Sequence, residues 1–314
     1  MNKLFFTFSI IFAFSITVNS QELVSPEPVS AILLKYPNVR DFTISKSPNE
    51  AYITIQSPLE EASIIACLKK KEGKWSEPVL ANFSGAYKDL EPFLSPDNKR
   101  LYFVSNRPLD KSEPETKDFD IWYVERKNIS SKWSNPINIG KPINTEFDEF
   151  YPSVADNGNM YFTSNSPESK GEDDIFMSTW TKEGYSNPIS LDKTINTEGY
   201  EFNAFIAPNE SFIIFSGYNR NDGLGSGDLY ISHKNKDKTW KIAQNLGANI
   251  NSKYMDYCPF VDLKNNILYF TSKRSAIENR EFEHLKDYLN EINKYQNGLS
   301  RIYKVESFKV ENFD

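Results

Sequence analysis

Asp120-Ile121-Trp122, Asp174-Ile175-Phe176 and Asp228-Leu229-Tyr230 repeat one pattern, an acid followed by an apolar residue and an aromatic, with successive copies 54 residues apart. A period of that size, with no helical pattern through these segments, indicates radially arranged sheet units rather than one irregular domain. The same order of pieces surrounds each triplet. A first short strand ends in hairpin-turn chemistry, as in Ser95-Pro96-Asp97-Asn98, Asp156-Asn157-Gly158, Ala207-Pro208-Asn209 and Lys264-Asn265-Asn266. A dense aromatic and β-branched run follows, Leu101-Tyr102-Phe103-Val104, Met160-Tyr161-Phe162-Thr163, Phe212-Ile213-Ile214-Phe215 and Leu268-Tyr269-Phe270-Thr271, suited to a strand buried on both faces. The Asp triplets open a third strand, for which the last unit has Arg301-Ile302-Tyr303. An aromatic, usually with a proline, opens a fourth: Trp75 with Pro78, Trp133 with Pro136, Tyr185 with Pro188, and Trp240 without one. Proline belongs there only if that strand is the outer edge.

A weaker unit, Phe42 to Ser45, Tyr52 to Gln56, Ser63 to Leu68 and Trp75, precedes these. The expected fold is all-β, a single β-propeller of four-stranded blades, five in number with six as the alternative, and a helical insertion in the last blade. The final unit reaches Phe308-Lys309-Val310 without a fourth strand. A strand from about residues 25–34, around Ser25-Pro26-Glu27-Pro28-Val29, is expected to fill that place, because an open ring leaves sheet edges in water. Residues 1–20, with Lys3 before the apolar run Leu4 to Val18 and a polar exit at Asn19-Ser20-Gln21, read as a signal peptide, which leaves 21–314 as the propeller domain. An uncleaved N-terminal anchor is the alternative.

Ser95-Pro96-Asp97, Tyr102-Phe103-Val104-Ser105-Asn106-Arg107 and Asp120-Ile121-Trp122 resemble the PD40 (WD40-like) repeat shared with the TolB-type propeller. The Bacteroidetes exported form is closer still, through the links Pro142-Ile143-Asn144-Thr145 to Asp148-Glu149, Ile195-Asn196-Thr197 to Glu201 and Ile250-Asn251-Ser252 to Asp256. The resemblance covers about residues 85–275 and implies the propeller fold and a place in the cell envelope. Such motifs specify a scaffold and leave the activity open.

The net charge of −7 becomes −8 once the first twenty residues and their Lys3 are removed. An acidic surface repels phosphate backbones and anionic headgroups, so no nucleic acid and no membrane partner is expected. After signal removal no membrane span is read. The location implied is exported: periplasmic, outer-membrane-associated or extracellular. Cys67 and Cys258 are expected as separate buried thiols, a disulfide between first and last units being the alternative. His233 and His284, the only histidines, lie in different units without metal spacing, so no metal and no cofactor is expected.

Candidate ligand-binding residues gather on one rim. Asp89, Glu149, Glu201 and Asp256 open the first strands and are expected to encircle the channel mouth, either as a cation, amine or sugar site or as scaffold acids that accept turn N–H groups. Asn106, Arg107, Asn165, Arg220 and Arg274 follow the second strands; the arginines either pair with the acid opening the third strand, Arg107 with Asp120 and Arg220 with Asp228, or reach a ligand. Ser166 stands where the third unit would have its arginine. Between Ala276 and Gly298, Phe282, Leu285, Tyr288, Leu289, Ile292 and Tyr295 make an apolar stripe at helical spacing, read as a cap over the channel mouth, a partner-docking helix being the alternative. A catalytic residue is not assigned, because near-equal repeated carboxylates lack the unequal protonation that acid–base chemistry needs. The leading reading is a non-catalytic exported propeller that binds a protein or cell-envelope glycan. The alternatives are a carbohydrate-active enzyme, glycoside hydrolase or polysaccharide lyase, using channel-mouth carboxylates, and a structural subunit of an envelope complex.

Overall fold

The computed structural model describes residues 25–47, 49–110, 112 and 116–313; the signal-peptide reading at 1–20 lies outside them. The chain forms a β-propeller of five four-stranded blades, I to V, with strands a to d running from the axis outward. Strands a are Asn38–Ile44, Asp89–Leu94, Glu149–Val154, Tyr200–Ile206 and Asp256–Asp262; strands b are Glu50–Gln56, Arg100–Ser105, Met160–Ser164, Phe212–Tyr218 and Ile267–Ser272. Strands c are Ser63–Lys71, Asp120–Glu125, Asp174–Ser178, Gly227–His233 and Arg301–Val305. Strands d are two-residue segments, Val79–Leu80, Ile137–Asn138, Ile189–Ser190 and Gln244–Asn245, and in blade V the N-terminal Glu27–Pro28.

The outer strands begin after the aromatic–proline motif and not within it. Pro78, Pro136 and Pro188 have no N–H to give a ladder, so pairing resumes one residue later. The serine of the motif bridges the gap: Ser76, Ser134 and Ser186 each accept, at 3.0 to 3.1 Å, the N–H of a strand c residue or its neighbour, Lys69, Glu125 and Thr179.

With strand d so short, the Ile-Asn-Thr/Ser links supply the missing edge. Asn144, Asn196 and Asn251 each accept the N–H and donate to the C=O of a strand c residue, Ile121, Ile175 and Leu229, at 2.9 to 3.0 Å. The preceding Ile143, Ile195 and Ile250 are buried between blades. The motif is therefore a strand substitute.

Every strand a breaks its ladder at the same place and carries there a non-glycine residue in the left-handed region: Asp41 at φ 58°, Glu91 at 58°, Tyr151 at 48°, Asn203 at 50° and Cys258 at 53°. A bulge of this kind costs on the order of 1–3 kcal/mol and bends the strand. Five bends turn these side chains toward the axis. The freed N–H groups bond across to the preceding blade, Glu91 to Thr54, Asn203 to Thr163 and Asp41 to Thr271, each at 3.1 Å.

Closure is two-layered. Glu27 and Pro28 pair antiparallel with Lys304 and Tyr303. Behind them Leu33, fully buried, packs with Val39, Phe42, Tyr269 and Ile302, residues of blades I and V. Full burial of one leucine stabilises by roughly 1.5–3 kcal/mol. Cys67 and Cys258 are both free thiols; Cys258 is buried at the axis, while Cys67 on strand c of blade I is only half-buried. Among the described residues no helix is long and apolar enough to cross a membrane.

Deleting residues 25–34 is expected to abolish cooperative thermal unfolding, and Leu33→Ala alone to cost about 2–5 kcal/mol. Circular-dichroism melting reads both; a deletion variant with the parental Tm would mean that the ring closes without this segment.

Candidate functional site

The acids opening strands a lie within the blades and not around an open channel mouth. Asp89 and Asp256 are fully buried, as is Glu201, and Glu149 is nearly so. Each is held by the link before it. Thr145 gives Glu149 its N–H at 3.1 Å and hydroxyl at 2.5 Å; Thr197 does the same for Glu201 at 2.6 and 2.8 Å; Ser252 does so for Asp256 at 2.5 and 2.7 Å. Ser84 and Gly85 serve Asp89. The scaffold alternative for these positions thus accounts for their local contacts.

The arginines pair with these acids. Arg107 Nη2 lies 2.5 Å from Asp89, Arg274 Nη2 2.9 Å from Asp256, and Arg220 Nη1 3.5 Å from Glu201. The expected pairs Arg107–Asp120 and Arg220–Asp228 do not form; the strand c acids hold other partners. Asp120 holds Lys117 and Asn138, Asp174 holds the Lys170 N–H and the Ser190 hydroxyl, and Asp228 holds the Leu224 N–H and Asn245. Each of these acids ties its b–c loop to strand d. Asn106 and Asn165 accept the N–H of Lys88 and Asp148 at 3.0 and 3.1 Å, pinning the start of strand a.

Two blades depart from the acid–arginine pair. In blade I, Val39 stands opposite Ile55, where Asp89 stands opposite Ser105, so acid and arginine are both missing. In blade III the acid is kept and the arginine is not. Among the described residues no cation lies within ion-pair distance of Glu149, and burial, with Asp120 and Asp118 adding to it, pushes its carboxyl up to about 8. It opens into a cavity of about 740 Å³.

At the axis the bulge residues form a network that the regular alternation of a strand conceals. Arg40 reaches Glu91 at 2.6 Å and Asp41 at 3.0 Å. Glu91 also accepts the Tyr151 N–H at 2.7 Å and the Asn203 amide at 3.2 Å, and Asp41 accepts the Glu91 N–H at 3.1 Å. Burial raises the Glu91 carboxyl against the pull of Arg40. A cavity of about 250 Å³, lined by Arg40, Glu91, Phe202 and Tyr257 among others, sits above it. The signal for these residues was the position two places after the strand a acid, occupied by Glu91, Tyr151, Asn203 and Cys258.

The insertion does not cap this mouth. Its helix covers only Leu285–Ile292, and Leu285, Tyr288 and Leu289 of the apolar stripe are 71%, 45% and 44% exposed. The inward residue is Glu291, which holds the Glu278 N–H and Lys294. Tyr295 anchors the segment to blade V by meeting the Tyr303 ring edge-to-face and donating to the Ile302 carbonyl. None of the insertion's residues lines the axial cavity. Among the described residues no cluster of three His, Cys, Asp or Glu is arranged to hold a metal ion.

No family model matches the chain, and no curated protein does. Solved structures do. The catalytic domain of a Coprinopsis cinerea GH62 α-L-arabinofuranosidase aligns at 8% identity with a TM-score of 0.54, covering 90% of this chain and 96% of its own. An α-L-arabinofuranosidase from Lactobacillus brevis aligns at 12% identity and 0.51, covering 86% and 93%. TolB from Acinetobacter baumannii aligns at 11% and 0.44, covering 86% of this chain, which spans about half of TolB's length, 55%. These likenesses are of fold.

Arg107→Met leaves the Asp89 carboxylate buried without its cation and is expected to cost about 3–5 kcal/mol in denaturant unfolding. Glu149 carries the opposite sign. Its pKa of about 8 in the folded protein lies above the ordinary value, so the fold favours the protonated form and loses that contribution as pH rises through about 8. Glu149→Gln is expected to melt close to the parent at pH 5 and about 3 °C or more above it at pH 9; equal melting at both would mean that Glu149 carries no burden of desolvation.

Proposed function

We propose that this chain is an exported, non-catalytic propeller that binds a protein or cell-envelope glycan through the rim carrying the starts of strands a and the b–c loops. The observation that carries it is saturation of the axial acids. Glycosidic hydrolysis needs one protonated and one ionised carboxyl facing a sugar from open positions. Here both oxygens of Glu91 accept protein donors, Asp41 is held by Arg40 and by the Glu91 N–H, and Arg40 spans the two. A sugar would have to displace a buried ion pair. On the rim, Asp89, Glu201 and Asp256 are likewise neutralised by arginines. What stays available is surface: the cavity at Glu149, the Gly-rich b–c loop of blade IV from Asn221 to Ser226, and the exposed helix of blade V.

One observation favours the enzyme reading. Glu91, raised to about 7, borders a cavity beside a second acid, Asp41, and the fold is shared with arabinofuranosidase domains. In that case Glu91 would act as the acid and Asp41 as the base or nucleophile.

Incubating the protein lacking residues 1–20 with arabinan, xylan and peptidoglycan fragments, beside affinity capture from an envelope fraction, separates the two. Stoichiometric retention of one protein or glycan without new reducing ends is the expected outcome. Turnover lost in Glu91→Gln would overturn the binding reading.

A further inference from the structure

The three rim arginines sit in three versions of one receptor. Arg107 Nε donates to Ser105 Oγ at 2.8 Å, its Nη2 to Asp89 and to the Phe83 carbonyl at 3.3 Å, and its guanidinium lies 5.0 and 5.4 Å from the rings of Phe103 and Trp122. Arg274 repeats this with Ser272 at 2.9 Å, Asp256, the Ile250 carbonyl at 2.8 Å, and the rings of Phe270 and Tyr303 at 5.2 and 4.7 Å. Arg220 keeps the acid, the Ile195 carbonyl and two rings, Phe215 and Tyr230, with Gly217 in the serine position.

Blade III preserves every wall of that receptor and lacks the guanidinium. Ser164 pairs with Glu149 as Ser105 pairs with Asp89, Ile143 is the link residue six before the acid, and Phe162 and Phe176 are the strand b and strand c aromatics. Ser166 replaces the arginine. All six of these residues line the cavity of about 740 Å³. Elsewhere the carboxylate and the arginine come as a pair, and blade I, without the arginine, has Val39 in place of the acid. Glu149 alone is an acid kept without its cation, at 1% exposure.

We infer that the blade III cavity receives the guanidinium of an arginine side chain from a partner polypeptide, completing in trans the pair that blades II, IV and V make in cis. This rests on the binding reading and names the partner's chemistry. A planar fork flanked by two aromatic faces, with a carboxylate, a carbonyl and a hydroxyl as acceptors, suits guanidinium better than the point charge of a lysine. The rim chooses between a side chain and the free amino acid. Glu146 and Glu168 also line the cavity against a single Lys141, so the α-carboxylate of free arginine is repelled where the neutral backbone of a peptide is not.

The probe is N-acetyl-arginine amide, titrated by calorimetry or NMR into the protein lacking residues 1–20, beside the citrulline isostere, which keeps the shape and removes the charge, and the lysine amide. A probe of this size is expected to bind with a Kd on the order of millimolar, at least tenfold tighter than either comparison compound. Glu149→Gln, still folded by circular dichroism, should lose the binding. Ser166→Arg should lose it too while raising Tm, because the side chain then fills the receptor from within. Equal binding of arginine and citrulline amides, no binding of either, or arginine binding that survives Ser166→Arg overturns the inference. An envelope partner retained equally by the parent and both variants would sink the cavity as its site yet leave the binding reading standing, whereas glycan turnover lost in Glu91→Gln would remove that reading whatever the probe does.

Discussion

Five bulged strands converge on one axis, and the groups meeting there have to neutralise one another, since water has little access. Arg40 does most of this. It bridges Asp41 of its own blade and Glu91 of the next, and lies 3.2 Å from the Cys258 sulfur of the last. Removing either charge would strand the other in a low-dielectric interior at a cost of several kcal/mol. The same network repairs a local defect: strand b of blade II has Val104 where blades I, III and V have a threonine, and the Glu91 carboxylate takes the Tyr151 N–H. One irregular residue per blade, different in each, fits the five together.

What the sequence makes legible follows from what each blade must repeat. The hairpin turns and the dense strand b runs recur because every blade needs the same reversal and the same doubly buried strand, and the Asp-apolar-aromatic triplets recur in blades II to IV, where the acid ties the b–c loop to strand d. Pairing is harder to read. Ser105 stands opposite both Asp89 and Asp120 on neighbouring strands, so Arg107, two residues on, has two acids in reach. Sequence proximity favours Asp120; Lys117 and Asn138 have already engaged it, and Asp89 receives the arginine. The axial residues are hidden for a different reason. In a regular strand Glu91 would share a face with Asp89, and the bulge between them breaks that alternation. The helical stripe of the insertion has the right period, but only two turns form and Glu291 is the residue they bury.

The repeat also shows how a scaffold and a site share one set of residues. In blades II, IV and V the acid, arginine and aromatics lock strand to link, and the closed ion pair has nothing to offer a ligand. Blade III lacks only the arginine of this set, with Ser166 in its place, and the same construction becomes a cavity with a buried acid at its end. The step from architecture to recognition is a subtraction.

The latch at Glu27–Pro28 gives the chain a temporal order as well as a shape. The segment that completes blade V is made first, and its partner Tyr303 follows about 275 residues later. Neither edge of the ring can be covered until the last strand c exists, so a nascent chain must hold its exposed blade I open throughout synthesis. Long-range closure of this kind makes folding slow and places its decisive contact at the end. A translation product stopped short of Arg301 retains four complete blades and no strand on which the latch can close the ring.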